Sequence, residues 1–158
     1  MSILGKLTHP LPLALAAQAG PTCGQVGALC WRKGSAGVEV LLVTSRDTGR
    51  WIIPKGWPMK GRSPEDAALR EAFEEAGVEG EANPVASGSY RYVKVVDPAH
   101  GAPCEVTVFP VRVARLRDRF PERGQRDRAW FTPEEAATKV DEAELRALLR
   151  LFAPDGAG

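Results

Sequence analysis

Three glutamates, Glu71, Glu74 and Glu75, fall within five consecutive residues of this chain. At about 100° per residue they share one face of a helix, where each like-charged i,i+4 pair costs roughly a few tenths of a kcal/mol. A hard cation with a preference for oxygen reverses that sign, so the cluster points to Mg²⁺ or Mn²⁺. Glu71 and Glu75, one turn apart, can clamp one ion from two sides. Glu74, displaced by one residue, is a third ligand or the base for an attacking water. Arg70, beside them, can pair with a carboxylate and hold it in place. The competing reading is a solvated acidic face whose glutamates pair with surface lysines.

The frame around the cluster favours the metal. Ser63 is a good N-cap, Pro64 suits the first helical position, Asp66 sits at the third, and Gly77 is a C-terminal stop. This predicts a helix over 64–76. Ala67, Ala68, Ala72 and Ala76 are small, so the helix can lie close to a sheet. Before it, residues 54–62 hold two prolines and two glycines and read as a loop. That loop brings Lys55 toward the helix, and Gly56 permits close backbone approach.

The Gly56–Val78 stretch resembles the signature box of the Nudix hydrolases, G-x5-E-x7-R-E-U-x-E-E-x-G-U. Gly56, Arg70, Glu71, Glu74, Glu75, Gly77 and Val78 match in register. Arg62 stands where the box has its first Glu, and Ala72 where it has a bulky aliphatic. The resemblance extends over about residues 24–152. Trp51–Gly56 before the box and Arg128–Phe131 after it are similar to the branch that cleaves diphosphoinositol polyphosphates and diadenosine polyphosphates. It implies an α/β fold, a Nudix-type α/β/α sandwich with a mixed β-sheet. It also implies Mg²⁺- or Mn²⁺-dependent hydrolysis of a phosphoanhydride, with Glu71 and Glu75 holding metal and Glu74 as the base.

Substrate phosphates beyond the metal need cations, and Arg46, Arg50 and Lys55 lie in the segment entering the box, with Lys60 and Arg62 in its loop. The resemblance favours Arg46, Arg128 and Lys139 as phosphate contacts; a solvated surface charge is the alternative for each. Residues 115–128 carry six arginines offset by Asp118, Glu122 and Asp127, and read as a recognition loop or simply a soluble one. Trp31, Trp51, Tyr90 and Tyr92 read as packing, whereas Trp57, in the box loop, is expected near substrate. Inositol-pyrophosphate enzymes of this branch carry a basic pair just before the first core strand. Cys23-Gly24-Gln25 stands there instead, which favours dinucleoside polyphosphates. The alternatives are hydrolysis of ADP-ribose or a nucleoside triphosphate, and a non-catalytic nucleotide-binding module of the same fold.

The elements that position these residues follow from the pattern. Gln25–Trp31 and Val38–Thr44 read as a hairpin turning at residues 33–37, and Trp51–Ile53 as a short strand ended by Pro54. Strands are expected at about 85–96 and 104–114, joined by a loop at 97–101, and at 129–132. Helices are expected at 133–139, capped by Thr132, and 142–152, capped by Asp141. The bulk numbers bound the rest. A chain of 158 residues is about one domain. A formal net charge of +1 gives no field toward nucleic acid or membrane, and neither partner is expected. Cys23, Cys30 and Cys104, odd in number and without a C-x-x-C pair, read as inert thiols of a cytoplasmic protein. Residues 6–19 have signal-peptide features, but His9, Pro10 and Pro12 break the apolar run. The expected organisation is a loosely attached arm over 1–22, the catalytic domain over 23–153 and a frayed tail over 154–158.

Overall fold

The computed structural model describes residues 10–154. In chain order they form β1 (Leu11–Pro12), α1 (Leu13–Ala16), β2 (Cys23–Gly34), β3 (Gly37–Thr44), β4 (Trp51–Ile52), β5 (Lys55–Gly56), α2 (Pro64–Ala76), β6 (Val78–Ala82), β7 (Gly88–Asp97), β8 (His100–Leu116), β9 (Arg128–Phe131), α3 (Pro133–Lys139) and α4 (Ala143–Leu151). The sheet is mixed. β8 runs parallel to β2 and antiparallel to β6 and β7, while β3 lies antiparallel to β2 and carries β9. The strand–turn–strand pattern of β2 and β3 closes with Gly34 opposite Gly37.

Side chains alternate between two cores, as the period of two along a strand requires. Val26, Ala28, Cys30, Leu41, Val43 and Val111 face α2, whose alanines 67, 68, 72 and 76 are fully buried against them. Leu29, Trp31, Val40, Leu42, Val106 and Val108 face the other way, onto Ala136, Leu145 and Leu149 of α3 and α4. The result is helix, sheet, helix: an α/β/α sandwich. The small alanine face lets α2 press on the strands and brings Glu75 against the backbone of β5.

Several expectations change. β6 follows α2 directly, where no strand was expected, and it continues the chain along β8. Lys55 and Gly56 are not loop but a two-residue strand paired with β2. Asp141 does not cap α4; the N-cap residue is Glu142, with no side-chain cap bond. Of the N-terminal arm, residues 11–13 lie against the β7–β8 turn, where Leu11 pairs with Gly101 and Leu13 N–H donates to the Ala99 carbonyl at 3.1 Å. The expectations for residues 1–9 and 155–158 lie outside the described residues. The reading of three inert thiols fails at two of them. Cys23 and Cys104 are register partners on β2 and β8 and form a disulfide, with Cα atoms 4.7 Å apart. They are 81 residues apart in sequence, so only the parallel pairing of two distant strands reveals them. Cys30 remains a buried thiol, and burial pushes its pKa up.

Candidate metal and phosphate site

Helix α2 begins and ends as its terminal residues dictate. Ser63 Oγ accepts from Asp66 N–H at 3.2 Å, and Gly77 adopts φ +72° to stop the helix. One face of α2 then borders a cleft of about 350 Å³. Glu71 and Glu75 line it from the helix, Lys55, Gly56 and Trp57 from β5 and the box loop, Arg46 and Asp47 from the turn after β3, and Lys94 from β7. A Cβ at residue 56 would fall on the Glu71 carboxylate, so only glycine lets that carboxylate lie against the β5 backbone. Glu75 is 5% exposed and accepts from Lys55 N–H at 3.4 Å.

Four charged residues not singled out from the sequence complete the cleft: Asp47, Lys94, Glu122 and Arg126. The segment 117–127 folds over the end of α2, where Glu122 N–H donates to the Glu74 carbonyl and Arg117 N–H to the Gly77 carbonyl. This delivers Glu122 and Arg126 to the pocket. Arg126 is nearly buried and bridges the wall. Its Nε lies 2.8 Å from Glu122 Oε1, its Nη1 donates to the Thr44 carbonyl at 3.1 Å, and its Nη2 stands 3.9 Å from Glu75. For Glu122 and Arg126 the sequence signal is the charged character of 115–128, which does not say which charges turn inward.

The expected site residues divide. Glu71, Glu75, Arg46, Lys55, Gly56 and Trp57 come together. Glu74 does not line the cleft; its Oε2 is held by Arg70 Nε at 2.8 Å, and the pair braces the neighbouring face of α2. Arg50 turns away to Glu142, 2.8 Å from its Nη2, tying the 45–50 turn to the start of α4. Arg128 donates through Nη1 to the carbonyls of Ala76 and Arg117, at 2.6 and 3.0 Å, and so caps the end of α2. Lys139 Nζ lies 5.7 Å from the ring of Phe131, outside the cleft. Arg62 pairs loosely with Asp66 at the exposed start of α2, also away from it.

Burial and crowded charges set the electrostatics of the cleft. Burial raises the Glu75 pKa to about 8; Arg126 pulls it down, and the Glu71 and Glu122 carboxylates push it up. Burial also lowers the Lys55 ammonium to about 8, opposed by Glu75 and reinforced by Lys94 and Arg50. Lys55 Nζ sits 4.5 Å from the ring centre of Tyr92, and Lys94 Nζ 6.0 Å from that of Trp57. Among the described residues no group of three His, Cys, Asp or Glu side chains is placed to hold a metal ion. The acidic donors bordering the cleft are carboxylates, the hard oxygen set that suits Mg²⁺ or Mn²⁺. Mg²⁺ in particular favours few protein ligands, with substrate oxygens and water filling the rest. The donor chemistry of the cleft, though not a preformed ligand set, therefore suits such an ion.

A family model described as the NUDIX domain matches residues 23–152. Nudix hydrolase 21, chloroplastic, of Arabidopsis thaliana is 31% identical over 122 residues, covering 77% of this chain and 60% of that protein. Diphosphoinositol polyphosphate phosphohydrolase 3-alpha of Mus musculus is 31% identical over 110 residues, covering 68% and 63%. The chain thus spans less than two thirds of the length of these curated relatives. Among solved structures, the C. elegans Ap4A hydrolase superposes with a TM-score of 0.57 at 21% identity, over 80% of this chain and 92% of that one, a likeness of fold. With the sandwich, the capped glutamate helix and a family match over most of its length, this chain belongs to the Nudix family.

Proposed function

We propose that the protein is a divalent-metal-dependent pyrophosphohydrolase that cleaves a phosphoanhydride bond of dinucleoside polyphosphates or diphosphoinositol polyphosphates. The observation that carries this reading is the meeting in one cleft of Glu71, Glu75 and Glu122 with Arg46, Lys55 and Lys94. Carboxylates alone would repel a polyphosphate, and cations alone would bind it without a place for metal; the two together suit a metal–phosphate complex. The curated relative that acts on diphosphoinositol polyphosphates supports one substrate class. The Trp57 ring at the cleft, a surface on which a base can stack, supports the other.

In this reading Glu71 and Glu75 would hold Mg²⁺ or Mn²⁺. The bound ion supplies charge neutralisation at the phosphates and lowers the pKa of the attacking water. Lys55, Lys94 and Arg46 bind the remaining phosphate oxygens and orient the anhydride. Glu122 takes the proton from water in this reading, since it lines the cleft and Glu74 does not. Arg126 holds Glu122 and Glu75 at a fixed separation, so that catalysis is mostly positioning. The family match over residues 23–152 supports placing the catalytic unit there. No helix among the described residues is long and apolar enough to cross a membrane. The expectation of a cytoplasmic protein rests on reduced thiols, and the Cys23–Cys104 bond removes that ground.

A phosphate-release panel tests it, with diadenosine polyphosphates, diphosphoinositol polyphosphates, ADP-ribose and nucleoside triphosphates, each with Mg²⁺ or Mn²⁺. Turnover of one of the first two classes, abolished by chelation, is the expected result. Release from none of them overturns the enzymatic reading and leaves a nucleotide-binding module.

A further inference from the structure

The disulfide lies at a junction of three parts of the molecule. Cys104 is the register partner of Cys23 on β2 and, on its other side, of Tyr92 on β7. The Tyr92 hydroxyl donates to Gln25 Oε1 at 2.5 Å, and Gln25, two residues beyond Cys23, lines the cleft. The Tyr92 ring also carries the Lys55 ammonium. On the other flank, Thr22 N–H donates to the Pro103 carbonyl at 2.9 Å, which seats the base of the N-terminal arm. A crevice of about 220 Å³ separates arm residues 16–19 from Tyr92, Pro103 and Cys104.

We propose that the Cys23–Cys104 pair is a redox-modification site that couples the seating of the N-terminal arm to the shape of the cleft floor. In the oxidised form one covalent bond ties the β2 end next to Gln25 to the β8 residue opposite Tyr92. The backbone ladder between β2 and β8, from residue 23 to residue 31, holds the sheet together without that bond. Reduction therefore loosens a local junction and leaves the fold standing. The co-reactant is a dithiol reductant. Cys23 is half-buried and Cys104 fully buried, so the external thiolate reaches the Cys23 sulfur. The S–S bond breaks, and its electron pair leaves on the Cys104 sulfur, which takes up a proton. The second thiol of the reductant then attacks the mixed disulfide and releases Cys23 as a thiol. Two electrons and two protons pass from the dithiol, which ends as a disulfide.

The test uses the full chain purified without reductant and does not depend on which substrate the cleft accepts. Titration of the denatured protein yields one thiol, Cys30, and three after treatment with dithiothreitol. Hydrogen exchange of the folded protein then compares the two forms in peptides covering residues 10–22 and 88–97. Reduction is expected to speed exchange in both by about tenfold or more and to lower Tm by roughly 5–15 °C. A Cys23→Ser, Cys104→Ala double variant should behave as the reduced form and ignore dithiothreitol; should it fail to fold, reduced wild type carries the comparison. Three titratable thiols before reduction overturn the proposal. So does identical exchange in oxidised and reduced protein, which would make the bond an inert cross-link.

Discussion

Glu75 is the residue on which the site's electrostatics turn. Its carboxyl is raised to about 8 by burial, with Glu71 and Glu122 adding to the rise and Arg126 opposing it. In the unfolded chain it titrates near 4.5, so between about pH 4.5 and 8 the native state binds the extra proton. The contribution of this carboxyl to metal-free stability is therefore fully present below that window and is lost as pH rises through it. Lys55 acts next and with the opposite sign. Its folded pKa of about 8 lies below the ordinary 10.5, so stability rises again from about pH 8 to 10.5. Thermal unfolding in a chelator across pH 5–8 should show a falling Tm, and Glu75→Gln should flatten that slope while removing nearly all turnover. A wild-type slope retained in the variant would move the titration to another group. The assignment of the base has its own comparison. Glu122→Gln is expected to lower kcat by about 10²–10⁴, and Glu74→Gln by much less, because Glu74 braces Arg70. The reverse order in single-turnover rates would return the base to Glu74.

At the scale of elements, the site depends on how α2 ends and on the segment strapped across that end. Gly77 has φ +72°, and a Cβ there would stand 2.7 Å from the Arg117 carbonyl oxygen and 2.9 Å from Arg128 Nη1. The left-handed conformation alone costs alanine about 1–2 kcal/mol. Pushing the strap away adds to this, and Gly77→Ala should lose roughly 2–4 kcal/mol in urea unfolding. Because the same strap carries Glu122 and Arg126, activity should fall beyond the loss of folded protein. Arg50 has the analogous role for the 45–50 turn, which presents Arg46 to the cleft. Arg50→Met breaks the 2.8 Å contact to Glu142 and should raise KM about fivefold with kcat nearly unchanged. An unchanged KM would separate Arg46 from substrate binding. What was legible in the sequence follows the same division. The cap Ser63, the stop Gly77, the alanine face of α2 and the β2–β3 hairpin are local patterns, and each is where its residues imply. Arg50 and Arg128 were legible as cations but not as anchors, since their partners Glu142 and the Ala76 carbonyl lie 92 and 52 residues away. Glu122, Arg126 and the Cys23–Cys104 bond were hidden for the same reason. Their role depends on which distant strand or helix end they meet, and no periodicity encodes that.

At the scale of the whole molecule, the carboxylate cleft links metal binding to folding. Glu71, Glu75 and Glu122 come from α2 and from a loop about 50 residues further on, and the unfolded chain does not hold them together. An ion that binds only the native arrangement stabilises it by mass action. At ten times the dissociation constant the gain is about 1.4 kcal/mol, which for a chain of this size corresponds to a Tm rise of roughly 3–6 °C. The ion also competes with the proton on Glu75, so the shift has a direction in pH. Below about pH 6 the carboxyl is protonated and Mg²⁺ at millimolar concentration should move Tm little. Near pH 8.5, where the Glu75 carboxylate is mostly ionised and its stabilising proton is largely lost, the shift should be larger. Scanning calorimetry with and without Mg²⁺ at pH 5.5 and 8.5 checks this, with Ca²⁺ as the larger-ion comparison and Glu71→Gln as the variant that should lose the shift. An equal rise at both pH values, or one that survives in Glu71→Gln, would mean that the ion acts elsewhere on the surface and that the glutamate face of α2 is a solvated one after all.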